Sequence, residues 1–207
     1  MPPMAGTADI PHGQSGGGDP ARYLRSDGRG FGVVAEPELQ RIVAYWCSKR
    51  GGRSMPCRSD IDPVDIPWAL SRFFLVDYER DTRTFRDRIA GSEVEDVVRR
   101  FTGSVSMRGV TLQDMLPAGS LRIVQDRWRP LAENGDIVYM RGLVYLAAER
   151  VPVGARILLP LSDRDDGLTT GLIGFTVCEW FLSDELVPPP GLDIYRIPIS
   201  EVTAAPG

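Results

Sequence analysis

From Val151 to Leu161 every odd position is apolar: Val151, Val153, Ala155, Ile157, Leu159 and Leu161. Side chains alternate across a β-strand, so a period of two sets all of them on one face. A helical period would scatter them around the axis. The segment therefore predicts a long strand with one face turned to a core. Its even positions include Pro152, Arg156 and Pro160. Proline has no N–H to give to a ladder, so an edge strand or irregular pairing is expected.

The same strand signature recurs. Phe73–Tyr78 is aromatic and β-branched, Glu79–Arg83 is a polar turn, and Thr84–Ala90 is a second strand, together a hairpin. Ile137–Leu146 and Leu172–Phe181 read as two further strands. Helical patterns fill the middle. Ser92 and Glu95 have capping-box spacing ahead of Val94, Val97, Val98 and Phe101 on one face. Thr111 starts a helical turn stopped by Pro117, and Ser120 is expected to cap a longer helix ending at Asn134-Gly135. Strands segregated around helices predict an antiparallel sheet with helices on one face, an α+β fold.

An amphipathic helix is expected upstream, from Glu36 to Arg50. Pro37 suits its first turn and Gly51-Gly52 its end. Leu39, Ile42, Val43 and Trp46 share its apolar side, which must pack on this chain's own body or on a second copy. They are the candidate dimer face. Pro56, Pro63 and Pro67 exclude a continuous helix or central strand over Ser54–Trp68, where Asp60, Asp62 and Asp65 can form side-chain turns. The expected organisation is a disordered leader at 1–35, helix and proline-rich connector at 36–71, a folded unit at 72–182, and a mostly irregular tail at 183–207. Tyr195–Ile199 can still lay an extended segment back on the body.

Composition narrows the chemistry. The chain has 207 residues, a formal net charge of −4 and one histidine, His12, set in the glycine-rich leader. The mild acidity argues against broad nucleic-acid binding, which needs a basic face. The longest uncharged run in the folded-looking part is the 12 residues Gly167–Cys178, too short for a membrane span. Met1–Gly6 has neither the basic nor the apolar region of a secretory signal. Cys47, Cys57 and Cys178 show no zinc or redox spacing and read as reduced thiols of a cytoplasmic protein. With His12 outside the folded unit, triads, histidine metal sites and histidine phosphorelay are disfavoured. Asp163, Asp165 and Asp166 lack calcium-loop spacing, and Gly13–Gly18 lacks the lysine of a phosphate loop. No catalytic, metal or cofactor-binding residue is expected.

Several motifs occur in a telling order: Trp46, then Pro56-Cys57-Arg58-Ser59-Asp60-Ile61-Asp62-Pro63, Phe74-Leu75-Val76-Asp77, Phe85-Arg86-Asp87-Arg88-Ile89-Ala90-Gly91 and Phe101-Thr102-Gly103. With the element order, these resemble a PAS-like family common in alphaproteobacteria, over roughly residues 37–181. The chain departs from that pattern at Ser104–Gly109, an insertion-like stretch. The resemblance implies a five-stranded antiparallel PAS-like sheet with helices on one face, and a sensory or regulatory role without a catalytic residue. Neither a haem-ligand histidine nor a flavin-motif cysteine falls inside the fold unit.

The resemblance also implies a small, mostly apolar cavity. Its candidate lining is Phe85, Trp128, Tyr139 and Phe175, with Arg88 and Arg141 as polar anchors; the alternative is that the aromatics are core and the arginines paired at the surface. A buried Arg88 would need a carboxylate, for which Asp60 or Asp62 is the candidate, so Arg58, Asp60 and Asp62 are expected to pin the connector to the sheet. The expected function is a module acting in trans by protein contact, as a homodimer or on a signalling partner, with or without a small ligand. No kinase, cyclase or DNA-binding segment occurs in the sequence, which favours action in trans. The alternatives are a histidine-independent small-molecule enzyme and a structural partner protein with a filled core.

Overall fold

The computed structural model describes residues 21–25, 30–103, 106–145, 150–164, 166–182 and 191–202. Its strands are β1 (Ala21–Arg25), β2 (Phe73–Glu79), β3 (Thr84–Ala90), β4 (Ile137–Leu143), β5 (Arg150–Leu161), β6 (Gly171–Leu182) and β7 (Leu192–Ile197). The α-helices are α1 (Pro37–Arg50), α2 (Ser92–Thr102), α3 (Leu112–Met115) and α4 (Ala118–Asn134). The strands form one sheet in the order β1-β7-β4-β5-β6-β2-β3. Every pairing is antiparallel except β1 with β7, which is parallel.

The sheet has seven strands among the described residues, where five were expected. The two additional strands come from the leader and the tail. β7 fills the open side of β4, and β1 then pairs along β7, fastened by Arg22 to Asp193 at 2.7 Å. An edge strand takes its hydrogen bonds from the sheet, so a polar, glycine-flanked segment can join without much apolar surface of its own. Residues 1–20 and 26–29 of the expected disordered leader, His12 included, lie outside the described residues, as does 183–190 of the tail.

β5 is central, not an edge. Its prolines fit because β4 pairs only with Val153–Leu158, so both fall beyond that ladder's ends. Pro152 accepts from Val144 N–H and Pro160 accepts the Trp46 indole N–H at 2.9 Å, which puts their missing N–H groups on the β4 side. The ladder to β6 loses nothing.

Alternation then builds two cores. Phe73, Leu75, Ile137, Tyr139, Ile157, Leu159 and Phe175 face one side, while Phe74, Val76, Val138, Met140, Leu158 and Leu172 face the other. The second side is covered by α2, α3 and α4 through Val94, Leu112, Met115, Trp128 and Leu131. The first is covered by α1 and the connector, so helices lie on both faces rather than one. Leu39, Ile42, Val43 and Trp46 are buried in this first core, with Trp46 fully inaccessible. The candidate dimer face is thus consumed inside the chain, because the odd positions of β5 need a cover and α1 is adjacent. Two helix starts also differ from expectation. Gly91 is the N-cap of α2 and Pro117 that of α4, neither with a side-chain cap bond, so Ser92 and Ser120 are inside their helices. Thr111 does cap α3, accepting from Asp114 N–H at 3.2 Å.

Two glycines permit close approach. A Cβ at Gly91 would lie 1.9 Å from the Leu70 carbonyl oxygen, and one at Gly174 2.0 Å from the Phe74 ring. Gly174→Ala is expected to lower unfolding free energy by about 1–3 kcal/mol. Trp46→Ala, which also orphans the Pro160 carbonyl, is expected to lower it by about 3–5 kcal/mol. Denaturant unfolding followed by circular dichroism checks both. Wild-type midpoints would show that α1 is not part of the core.

Candidate functional site

The residues named for a cavity do not come together. Phe85 and Trp128 pack edge to face with centroids 5.2 Å apart in the core beneath α4, and Phe74 stacks on Trp128 at 6.0 Å. Tyr139 and Phe175 are on the opposite face, under α1 and the connector. One cavity is expected to be lined by all four aromatics, but Phe85 and Trp128 belong to one side of the sheet and Tyr139 and Phe175 to the other.

Arg88 is half-exposed and pairs with Asp77, not with Asp60 or Asp62. The cause is a bulge. Leu75 pairs with Ile89 and Val76 with Asp87, leaving Arg88 as the extra residue on β3, turned toward Asp77. Arg58 reaches the same carboxylate at 3.4 Å, and its backbone N–H donates to Asp163 at 2.7 Å. The connector is therefore tied to the sheet through Arg58. Asp60 instead accepts from Arg53 at 2.5 Å and from Cys57 N–H at 2.7 Å. Asp62 caps the turn by accepting from Val64 N–H at 2.9 Å, and Asp65 pairs with Lys49 at 2.8 Å. The backbone bond from Cys57 and the Arg53 guanidinium hold the Asp60 carboxyl below its ordinary range against the opposing effect of desolvation. Among the described residues no group of three or more His, Cys, Asp or Glu side chains is placed to hold a metal ion.

Arg141 is exposed and lies 3.5 Å from Glu36, which also accepts the Tyr139 hydroxyl at 2.8 Å. Burial and this carboxylate raise the Tyr139 phenol above its ordinary range. Arg141, Glu36, Arg22 and Asp193 line an open groove of about 620 Å³ beside β7, where each arginine already has a carboxylate partner.

A smaller cleft, about 190 Å³, lies between α2 and β6. Val94 and Val97 of α2 form one wall, and Tyr145, Thr176, Cys178 and Trp180 another. Tyr145 and Trp180 are stacked, with centroids 6.4 Å apart and planes within 13°. Arg156, on β5, is fixed to this second wall. Its Nε donates to Thr176 Oγ1 at 2.8 Å, and its guanidinium is 4.2 Å from the Tyr145 ring centroid. Only 9% of Arg156 is exposed. Desolvation raises the Cys178 thiol above its ordinary range, partly opposed by the charges of Arg156 and Arg72.

A PAS-domain family model matches residues 34–174, from just before α1 into β6. The chain belongs to the PAS domain family. No curated protein and no solved structure matches it. PAS domains are in general non-enzymatic sensory or regulatory modules. No helix among the described residues is long and apolar enough to cross a membrane.

The PAS core contains one more group that the sequence reading missed. Asp87 shares the inward face of β3 with Phe85, is 1% exposed, and its Oδ2 has no hydrogen-bond partner. Desolvation alone pushes its carboxyl up to about 7. Two steps along a strand from a buried phenylalanine was the signal available. Because the folded-state value is raised, the folded PAS domain keeps this proton while the unfolded chain loses it. Stability is therefore greatest below the unfolded value and falls as pH rises toward 7. The difference is on the order of 4 kcal/mol. Asp87→Asn is expected to flatten stability between pH 4 and pH 7, roughly. Urea midpoints across that range test this, and an unchanged slope in the variant would contradict it.

Proposed function

We propose that this PAS domain is a non-enzymatic regulatory module that acts in trans by contact with another protein, with its state set by a small molecule in the cleft beside α2. The PAS family membership of residues 34–174 is the observation that carries this reading. The cleft opens at the rim of the second core, sharing Val94 with it, while the aromatic residues of both cores lie outside its lining. Since the apolar side of α1 is buried under the sheet, contact with a partner or a second copy falls to other surfaces. The free thiols Cys47, Cys57 and Cys178 suit the reducing cytoplasm.

In-cell crosslinking of the tagged full chain, followed by mass spectrometry, is expected to join it at reproducible positions to one protein. The purified chain is expected to turn over none of a panel of ester and phosphoester substrates. Crosslinks confined to single chains would overturn action in trans, and turnover that follows the purified protein would favour an enzyme.

A further inference from the structure

We propose that β6 takes an extended segment of a partner protein as an added strand in the cleft beside α2, bound by its main chain along the open edge of β6. This deepens the trans-acting reading and rests on it. It gives the contact a place, and a small molecule seated in the same cleft would exclude the strand.

The open edge follows from where β2 begins. β2 pairs with β6 from Gly171 to Phe175 and no further, because Pro67–Arg72 before it is a 3-10 turn outside the sheet. β6 continues to Leu182 with β5 alone paired to it. The Val177 carbonyl is turned to β5, since a Cβ at Gly154 would lie 2.0 Å from it. Successive residues of a strand direct N–H and C=O to opposite sides. Those of Thr176, Cys178 and Trp180 are therefore turned away from β5, like the Thr170 carbonyl that accepts the Tyr78 N–H at 2.8 Å. Among the described residues no backbone group bonds Thr176, Cys178 or Trp180 on that side. Their donors and acceptors stand in a row, in line with β2.

An unpaired edge is a template for another strand, and sheets ordinarily guard theirs with proline, lysine or a bulge. β5 has Pro152 and Pro160 where it runs past β4. Thr176–Phe181 has neither proline nor lysine, and its one charged residue is Glu179. The side chains of Thr176, Cys178 and Trp180 line the cleft opposite Val94 and Val97 of α2. A groove between an edge strand and a helix fits a single extended chain: the strand supplies main-chain bonds, and the two walls supply pockets for alternate side chains. With α2 as the far wall, the cleft admits one strand and not the sheet of a second copy. The charges at the cleft, Arg72 and Arg100 with Glu93 and Asp96, balance. The matching segment is therefore near-neutral, with apolar residues at alternate positions.

The probe comes from panning a displayed library of random linear heptapeptides on the full chain, which is expected to enrich peptides apolar at alternate positions. The strongest is synthesised plain and with single backbone N-methyl groups. The plain peptide is expected to slow amide exchange at Cys178 and Trp180 at least tenfold. N-methylation of every second residue is expected to weaken binding at least tenfold, and of the residues between them hardly at all. Cys178→Pro removes a donor on the open side and none from the β5 ladder, and is expected to weaken the peptide at least tenfold. Should that variant fail to fold, the N-methyl series on the wild-type chain decides. No enriched peptide, binding indifferent to N-methylation, or unchanged exchange at Cys178 and Trp180 would overturn the site. So would a wild-type dimer that Cys178→Pro splits, which would give the edge to a second copy. If no peptide protects the β6 edge while crosslinking to a partner protein persists, the strand site is wrong and the trans-acting module stands. If a peptide binds there and no partner is crosslinked, the strand site stands and the trans-acting reading fails.

Discussion

A sheet with apolar side chains on both faces must be covered twice, and the rest of the molecule follows from that. β5 sits at the centre, with Ile157 and Leu159 turned to one core and Leu158 to the other. α4 and its neighbours cover one side, and α1 with the proline-rich connector covers the other. The Trp46 indole joins α1 to β5 by bonding the Pro160 carbonyl where the β4 ladder has ended. One hydrogen bond thus satisfies a carbonyl left unpaired beyond the ladder's end and anchors the helix over the strand.

Two of the buried charged groups, Asp87 and Arg156, have opposite options. Burial pushes the Asp87 carboxyl beneath α3 up to about 7, so that it holds a proton below that pH. Arg156 has no such route, and two rings and a hydroxyl surround its permanent charge. The surface pairs matter less. Arg58 and Arg88 on Asp77 are partly exposed, and each contributes roughly 0–1 kcal/mol, setting position more than stability.

Local periodicity made much of the fold legible. The β2–β3 hairpin, α1 with Pro37 at its start, the α3 cap at Thr111, and the three later strands all stand near their expected bounds. What periodicity does not carry is partnership between distant segments. β7 is a strand because it finds the open side of β4, and β1 because it finds β7, 171 residues away at the Arg22–Asp193 pair. Proline counted against a central β5, although the penalty depends on which side of the strand loses its neighbour. The cavity residues failed for a related reason: Phe85 and Trp128 against Tyr139 and Phe175 is a division by strand parity, and residue type is blind to it. Arg156 was visible only as a polar position on β5. Its burial depends on Tyr145, Phe74 and Thr176 from three other parts of the chain.

Native-state amide hydrogen exchange asks most directly whether α1 is a structural half of this PAS domain or an arm laid upon it. Amides of Ile42–Trp46 and of the central β5 residues should exchange with the same opening free energy and respond together to denaturant. Exchange of the α1 amides by low-energy local opening, while β5 stays protected to the level of global unfolding, would contradict the account.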